Sequence, residues 1–143
     1  MDSTSGKQLK CVVVTPEKAV LDEPADFVSL PMYDGELGVL PGRAPLIGRL
    51  GLGELRLQQH GAVRRYFVDG GFAQVRSDTV TVLTAKAVPA GDIDPQAARQ
   101  DLTAAQAVMP KSSEEQAARQ RAEDRARTML RVAQRGTGQE GHG

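Results

Sequence analysis

The chain has 143 residues with 18 basic and 18 acidic side chains, so no excess charge draws it to nucleic acid or an anionic bilayer. Aromatic residues make up 3% and tryptophan is absent, which removes the stacking platforms that single-strand binding uses. No apolar run approaches the roughly 20 residues needed to span a bilayer, and Met1 to Lys10 has no signal-peptide core, so a soluble or peripheral protein is expected.

In chain order, residues 1–8 are polar and predicted to fray. Leu9 to Val14 reads as a strand, with Leu9, Cys11 and Val13 on one face by the period of two. Cys11 is the lone cysteine and has no internal disulfide partner, so a buried, inert thiol is expected. Thr15-Pro16-Glu17 turns the chain. Lys18 to Leu21 begins a second strand, and Phe27, Val28, Leu30 and Met32 make a third.

The stretch from Gly35 to Leu46 holds three glycines and two prolines. Asp34-Gly35 before it is a hairpin signal, because glycine accepts positive φ. Gly38 and Gly42 break the strand pattern, as glycines do at bulges or close backbone approaches. Pro41 and Pro45 lack backbone donors, so this run cannot be a central strand. Leu37, Val39 and Leu40 are too apolar for a free loop. The segment predicts a rigid, partly apolar corner that presents a shape.

Leu46 to Leu50 gives a fourth strand and Gly51-Leu52-Gly53 a turn. Glu54 to Gln59 alternates, with Leu55 and Leu57 inward and Arg56 and Gln58 outward. His60-Gly61 is a two-residue hairpin, so Val63 to Val68 pairs back. Gly70-Gly71 is expected to reverse the chain into Phe72 to Arg76, and Ser77-Asp78 turns it into Thr79 to Thr84. Short strands at intervals of roughly 8–12 residues predict an all-β sandwich, or flattened barrel of antiparallel strands, over residues 1–89.

After Pro89 the composition changes. Asp94 is a candidate N-cap with Pro95 at the first helical position, and the helix is expected to run to about Met109. Ser112 with Glu115 fits a capping box opening a second helix to about Arg135, where Gly136 ends it. The prediction is an antiparallel helical hairpin over 90–135 and a flexible tail over 136–143. Its stripes are mostly alanine, which buries little area, so the hairpin is expected to hold weakly by itself and to be a mobile element.

Catalytic chemistry finds no footing. Glu36 has no second carboxylate or histidine at a fixed local spacing, and its bland reading is a solvated turn residue. Gly70-Gly71 lacks the phosphate-loop pattern and precedes a strand. His60 and His142 stand apart without a cysteine or histidine cluster, so no metal site is expected. The second helix carries Arg119, Arg121, Arg125, Arg127, Arg131 and Arg135. That face is either solvated or waiting for an acidic partner.

Asp34-Gly35-Glu36-Leu37-Gly38-Val39-Leu40-Pro41-Gly42-Arg43-Ala44-Pro45-Leu46 resembles the signature of the epsilon subunit of F-type ATP synthases. Val14-Thr15-Pro16-Glu17, Gly70-Gly71-Phe72 and Val80-Thr81-Val82-Leu83-Thr84 agree in order and spacing, covering roughly residues 9–109. Arg43 departs from the histidine usual there. The resemblance implies a non-catalytic rotor subunit without a cofactor, peripheral to the membrane on the cytoplasmic side of the cell membrane. It implies docking beside the gamma subunit, coupling rotor-ring rotation to ATP synthesis. Glu36, Leu37, Val39 and Arg43 would meet the membrane rotor ring. Arg119, Arg121, Arg125 and Arg127 would press against the catalytic alpha and beta subunits and inhibit ATP hydrolysis. Some bacterial members bind ATP through Ile/Leu-Asp-x-x-Arg-Ala. Here Ile93-Asp94 is followed by Ala97 at the arginine position, so ATP binding is not expected. The rival readings are a free-standing carbohydrate- or peptide-binding sandwich and a small hydrolase. The second needs a nucleophile–base pair that the sequence does not offer.

Overall fold

A computed structural model describes residues 7–141; the fraying expected of residues 1–8 falls mostly outside them. The strands are β1 (Leu9–Val14), β2 (Ala19–Ala25), β3 (Phe27–Met32), β4 (Gly35–Val39), β5 (Leu46–Gln59), β6 (Ala62–Arg76), β7 (Thr79–Leu83) and β8 (Ala87–Pro89). A 3-10 turn at Ala90–Asp92 leads to α1 (Pro95–Ala107) and α2 (Ser113–Gly141). The expected all-β sandwich followed by two helices is what the chain forms.

The strands hydrogen-bond in the order β2-β1-β7-β6-β5-β3-β4, with β8 on β6. All pairs are antiparallel except β1 with β7, where Lys10 to Val14 run alongside Thr79 to Leu83. β5 and β6 are 14 and 15 residues long and serve both layers of the sandwich. Their Leu46–Leu50 and Phe72–Arg76 ends join β7, β1 and β2, which we call the first layer. Their other halves join β3, β4 and β8, the second layer. The core between the layers includes Cys11, Val13, Val28, Leu30, Leu55, Leu57 and Val82, all fully buried. Burial pushes the Cys11 thiol up to about 12, so it is un-ionised at neutral pH, as an inert core cysteine should be.

Two turns expected from glycines are bends inside strands. Gly51-Leu52-Gly53 lies within β5, and Gly70-Gly71 lies within β6 without reversing it. Crowding and backbone conformation are the reasons: Gly70 and Gly71 take φ +69 and +106, and Gly53 and Gly71 have no room for a side chain. A Cβ on Gly53 would stand 2.7 Å from Pro31 Cβ, and one on Gly71 1.9 Å from the Leu83 carbonyl oxygen. Alternation also slips at these bends: Leu50 and Ala73 face the core at one end, Leu55, Tyr66 and Val68 at the other. The true reversal is His60-Gly61, both at positive φ, with Gln59 opposite Ala62. The Asp26 carboxylate braces it, accepting from the His60 N–H at 2.8 Å and from Gln8 Nε2 at 3.0 Å.

Both helix starts are capped as the sequence predicts. Asp94 accepts from the Gln96 N–H at 3.0 Å ahead of Pro95. Ser112 Oγ accepts from the Glu115 N–H at 3.1 Å, while Glu115 reaches back to the Lys111 N–H at 2.8 Å. α1 stops at Ala107, two residues short of Met109, and α2 does not stop at Gly136 but continues to Gly141. Gly136 sits where α2 crosses Ala90, and an added Cβ would lie 2.7 Å from the Ala90 Cβ. It permits an approach rather than ending the helix.

Gly71 has φ +106 as well as its contact with the Leu83 carbonyl, so a side chain there meets both strain and a clash. Gly71→Ala should lower stability by at least about 2 kcal/mol in urea unfolding. An unchanged midpoint would mean that β6 and β7 separate freely and that the bend is not glycine-dependent.

Candidate functional site: docking surfaces

The corner after β3 is built on turn chemistry. Leu40, Pro41, Gly42 and Arg43 form a β-turn in which the Arg43 N–H donates to the Leu40 carbonyl at 3.3 Å. Proline supplies its fixed φ at the second position and Gly42, at φ +90, the positive φ at the third. The Gly42 N–H then donates to Asp78 Oδ1 at 2.7 Å, tying the corner to the β6–β7 turn. β4 is an edge strand of the sheet and ends before Pro41.

The four corner residues do not share one surface. Arg43 is exposed at the turn. Glu36 is exposed but occupied: its Oε2 accepts from Ser29 Oγ at 2.8 Å and lies 3.2 Å from Arg56 Nη2. Leu37 is half-buried and packs against the core, opposite Leu30. Val39 is fully buried, paired with Val28. It is corrected from a surface residue to a core residue, because the period of two sends 37 and 39 inward and 36 and 38 outward. Beside the corner, a shallow cleft of about 650 Å³ lies between the Tyr33–Leu37 segment and the start of β5. The Arg49 guanidinium stacks 4.3 Å over the Tyr33 ring at its rim.

The outer surface of the first layer carries an apolar ladder that the sequence reading does not single out. Arg49, Phe72, Leu83 and Val14 are successive partners across β5, β6, β7 and β1, and Ile47, Gln74, Thr81 and Val12 form the next rung. Ile47 is 74% exposed, Phe72 55% and Leu83 54%. The available signal is the doubled apolar pair: Leu46-Ile47, Phe72-Ala73 and Val82-Leu83 each put one apolar residue inward and one outward. A strand needing only one buried face would carry a polar residue at the second position.

The outer surface of the second layer is covered instead. Phe67, Ile93, Val132 and Ala133 form a small second core, with Leu52, Val88 and Met129 packed against it. Two ion pairs pin α2 over it: Arg125 Nε to Asp69 Oδ2 at 2.8 Å and Arg135 Nη1 to Glu54 Oε1 at 3.1 Å. Glu54 is buried and also takes Arg65 Nη1 at 3.1 Å. Its role was hidden in the sequence because it occupies an outward position of an alternating strand. Of the four arginines of the expected inhibitory face, Arg121 and Arg127 are exposed, Arg119 is half-buried, and Arg125 is engaged with Asp69. Arg127 also lies 3.9 Å from Glu123, one turn back.

Among the described residues no group of three or more acidic, histidine or cysteine side chains is arranged to hold a metal, and no helix is long and apolar enough to cross a membrane. Ala97 is exposed on α1, and the neighbouring Asp94 carboxylate is taken up in capping.

Residues 8–90 match the family described as ATP synthase, Delta/Epsilon chain, beta-sandwich domain. The ATP synthase epsilon chain of Rhodopirellula baltica is 56% identical over 126 residues, covering 87% of this chain and 98% of that one. The ATP synthase epsilon chain of a Synechococcus species is 38% identical over 127 residues, covering 87% and 93%. Among solved structures, one chain of the mitochondrial ATP synthase of Euglena gracilis, in an OSCP/F1/c-ring assembly, superposes with a TM-score of 0.68 at 24% identity, covering 89% of this chain and 78% of that one. A chain from the central stalk/c-ring of Tetrahymena thermophila mitochondrial ATP synthase gives 0.64 at 12%, covering 89% and 97%. At those identities the likeness is one of fold. The family match over the sandwich, together with relatives that align along nearly their whole length, shows that the chain belongs to the epsilon chains of F-type ATP synthase.

Proposed function

We propose that the chain is a non-catalytic central-stalk subunit of a proton-translocating ATP synthase, at the cytoplasmic face of the cell membrane. It couples rotation of the membrane ring to ATP synthesis by acting as a rigid piece of the rotor. The observation that carries this reading is the asymmetry of the sandwich. One outer face is covered by the chain's own helices, while the other leaves Ile47, Phe72 and Leu83 in solvent. An apolar sheet face of this kind is what a permanent protein partner would cover. In this proposal the gamma subunit covers it. The corner, through Glu36, Leu37 and Arg43, meets the polar loops of the ring. Val39 holds its shape from inside.

Phe72 and Leu83 point away from the core, so Phe72→Ser with Leu83→Ser should leave the fold intact. Recovery of the chain with the gamma subunit in affinity purification from native membranes should fall at least about tenfold, as for a central apolar contact. Undiminished recovery would move the gamma interface elsewhere.

The second helix is proposed as the brake on ATP hydrolysis, reaching acidic segments of the alpha and beta subunits when it leaves its seat. Because Arg125 pairs with Asp69 in the seated state, replacing it would disturb the seat as well as the brake. The cleaner variant is Arg119→Ala with Arg121→Ala and Arg127→Ala, which retains helix propensity. Each exposed pair contributes about 0–1 kcal/mol, so no single arginine should dominate. The triple variant should raise membrane ATPase activity, and wild-type inhibition should weaken with ionic strength. Wild-type behaviour of the variant at every salt concentration would leave Arg121 and Arg127 as a solvated face and half-buried Arg119 without a part in inhibition.

Ala97 supplies no cation for a triphosphate, and Asp94 is committed to its cap. ATP at millimolar concentration should therefore give no heat of binding and no rise in melting temperature. A saturable shift would contradict this, since any ligand of the folded state stabilises it by mass action.

A further inference from the structure

A line of charged side chains runs from the β4 edge to the far end of α2. Glu36 Oε2 lies 3.2 Å from Arg56 Nη2 and accepts from Ser29 Oγ at 2.8 Å. The other arm of the same guanidinium, Arg56 Nη1, stands 3.9 Å from Glu54 Oε1. That oxygen also receives Arg135 Nη1 from α2 and Arg65 Nη1 from β6, both at 3.1 Å. Glu54 Oε2 is buried and makes no hydrogen bond. Four of these groups, Glu36, Arg56, Glu54 and Arg135, line one cleft of about 400 Å³ between the β3–β5 surface and α2, which Arg131 also lines. The Glu54 side chain is only 7% exposed, so solvent screens its interactions poorly.

We infer that Arg56 is a switchable positioning residue that couples the state of Glu36, on the edge strand, to the seating of α2. While Glu36 is free of outside partners, it holds one arm of Arg56 away from Glu54. The carboxylate of Glu54 is then shared chiefly between Arg65 and the helix. When Glu36 is neutralised, or taken by a cationic group of another protein, Arg56 is released toward Glu54, whose second oxygen is vacant. A third guanidinium brought close to that carboxylate lowers its attraction for Arg135. Among the described residues, Asp69–Arg125 and the small apolar cluster around Phe67 then hold α2 on the sandwich. This coupling is a property of the isolated chain and stands whether or not the rotor-ring reading of β4 holds.

A double-mutant cycle on the full-length chain isolates the coupling, which spatial adjacency alone does not establish. Amide hydrogen exchange of residues 128–136 reports the seating of α2, and the amides of Tyr66 to Val68 report the sandwich. Glu36→Gln keeps an acceptor for Ser29 and removes only the charge. It should speed exchange in residues 128–136 by about two- to fivefold, the range a partly exposed ion pair commands, and leave residues 66–68 unchanged. Glu54→Gln should speed it more. In an Arg56→Gln background, Glu36→Gln should have no further effect. If Glu36→Gln leaves α2 exchange unchanged in the parent, the coupling does not exist. If it acts equally with and without Arg56, the effect is a general field and Arg56 is not its carrier. Either result overturns the inference.

Discussion

Two long strands that must belong to two layers at once set the terms for everything else in this fold. β5 and β6 stay paired along nearly their whole length while bending out of one layer and into the other. Such a bend crowds its inner side, with the Leu83 carbonyl against Gly71, the Pro31 ring against Gly53 and the end of the Met32 side chain against Gly48. The glycines at 48, 51, 53 and 71 stand where an added Cβ would lie within 1.9 to 3.3 Å of a neighbour. Without the bend, the inward faces of the two halves could not look at each other. There would be one open sheet with an apolar surface and no core. The bend also explains why alternation slips in both strands at the same level, keeping Leu50 and Ala73 inside together with Leu55 and Val68.

The same geometry creates unlike exteriors. Where the pair runs with β3 and β8, its outer surface carries Phe67, Glu54 and Asp69, and these receive the helices. Where it runs with β7 and β1, its outer surface carries Phe72, Leu83 and Ile47, which none of the described residues covers. A single hairpin therefore presents one face that is satisfied internally and one that is not. This fits a part that is rigid by itself and complete only in an assembly.

Much of this organisation is legible in the residues, and the misses have physical causes. Period-two alternation identifies β1 and the Glu54–Gln59 half of β5 because each has one face in the core. Capping chemistry finds both helix starts, since Asp94-Pro95 and Ser112 to Glu115 act locally. Glycine is where the sequence misleads. Gly51, Gly53, Gly70, Gly71 and Gly136 read as turns or a helix end, yet the chain reverses at Asp34-Gly35, Pro41-Gly42 and His60-Gly61, while Gly70 and Gly71 take positive φ inside a continuous strand. A glycine required by a long-range contact looks the same in sequence as one required by positive φ. Its neighbour Leu83 or Ala90 is far along the chain. Glu54 and Asp69 escape notice for a related reason, because their partners Arg135 and Arg125 lie 81 and 56 residues away. At the corner, the motif marks the right segment but does not separate Val39, inside, from Glu36, outside.

The two halves of the chain are held by different physics. In the sandwich, apolar burial between layers dominates, and its core residues are almost wholly excluded from water. α2 rests on a smaller cluster with two ion pairs at its flanks, and α1 contributes mainly Ala98 and Ala105 to the buried interface with α2. Alanine contacts bury little area, and partly exposed ion pairs weaken with salt. Opening of the helices should therefore demand much less free energy than unfolding of the sandwich, as expected for separate cooperative units. Covering Phe67, Leu52 and Val88 is what the seated helix gains, and exposing them is the cost of leaving. A partner that draws α2 away must offer at least an equivalent apolar or charged surface. The arginines that remain in solvent while α2 is seated, Arg121 and Arg127 above all, are already presented to meet one.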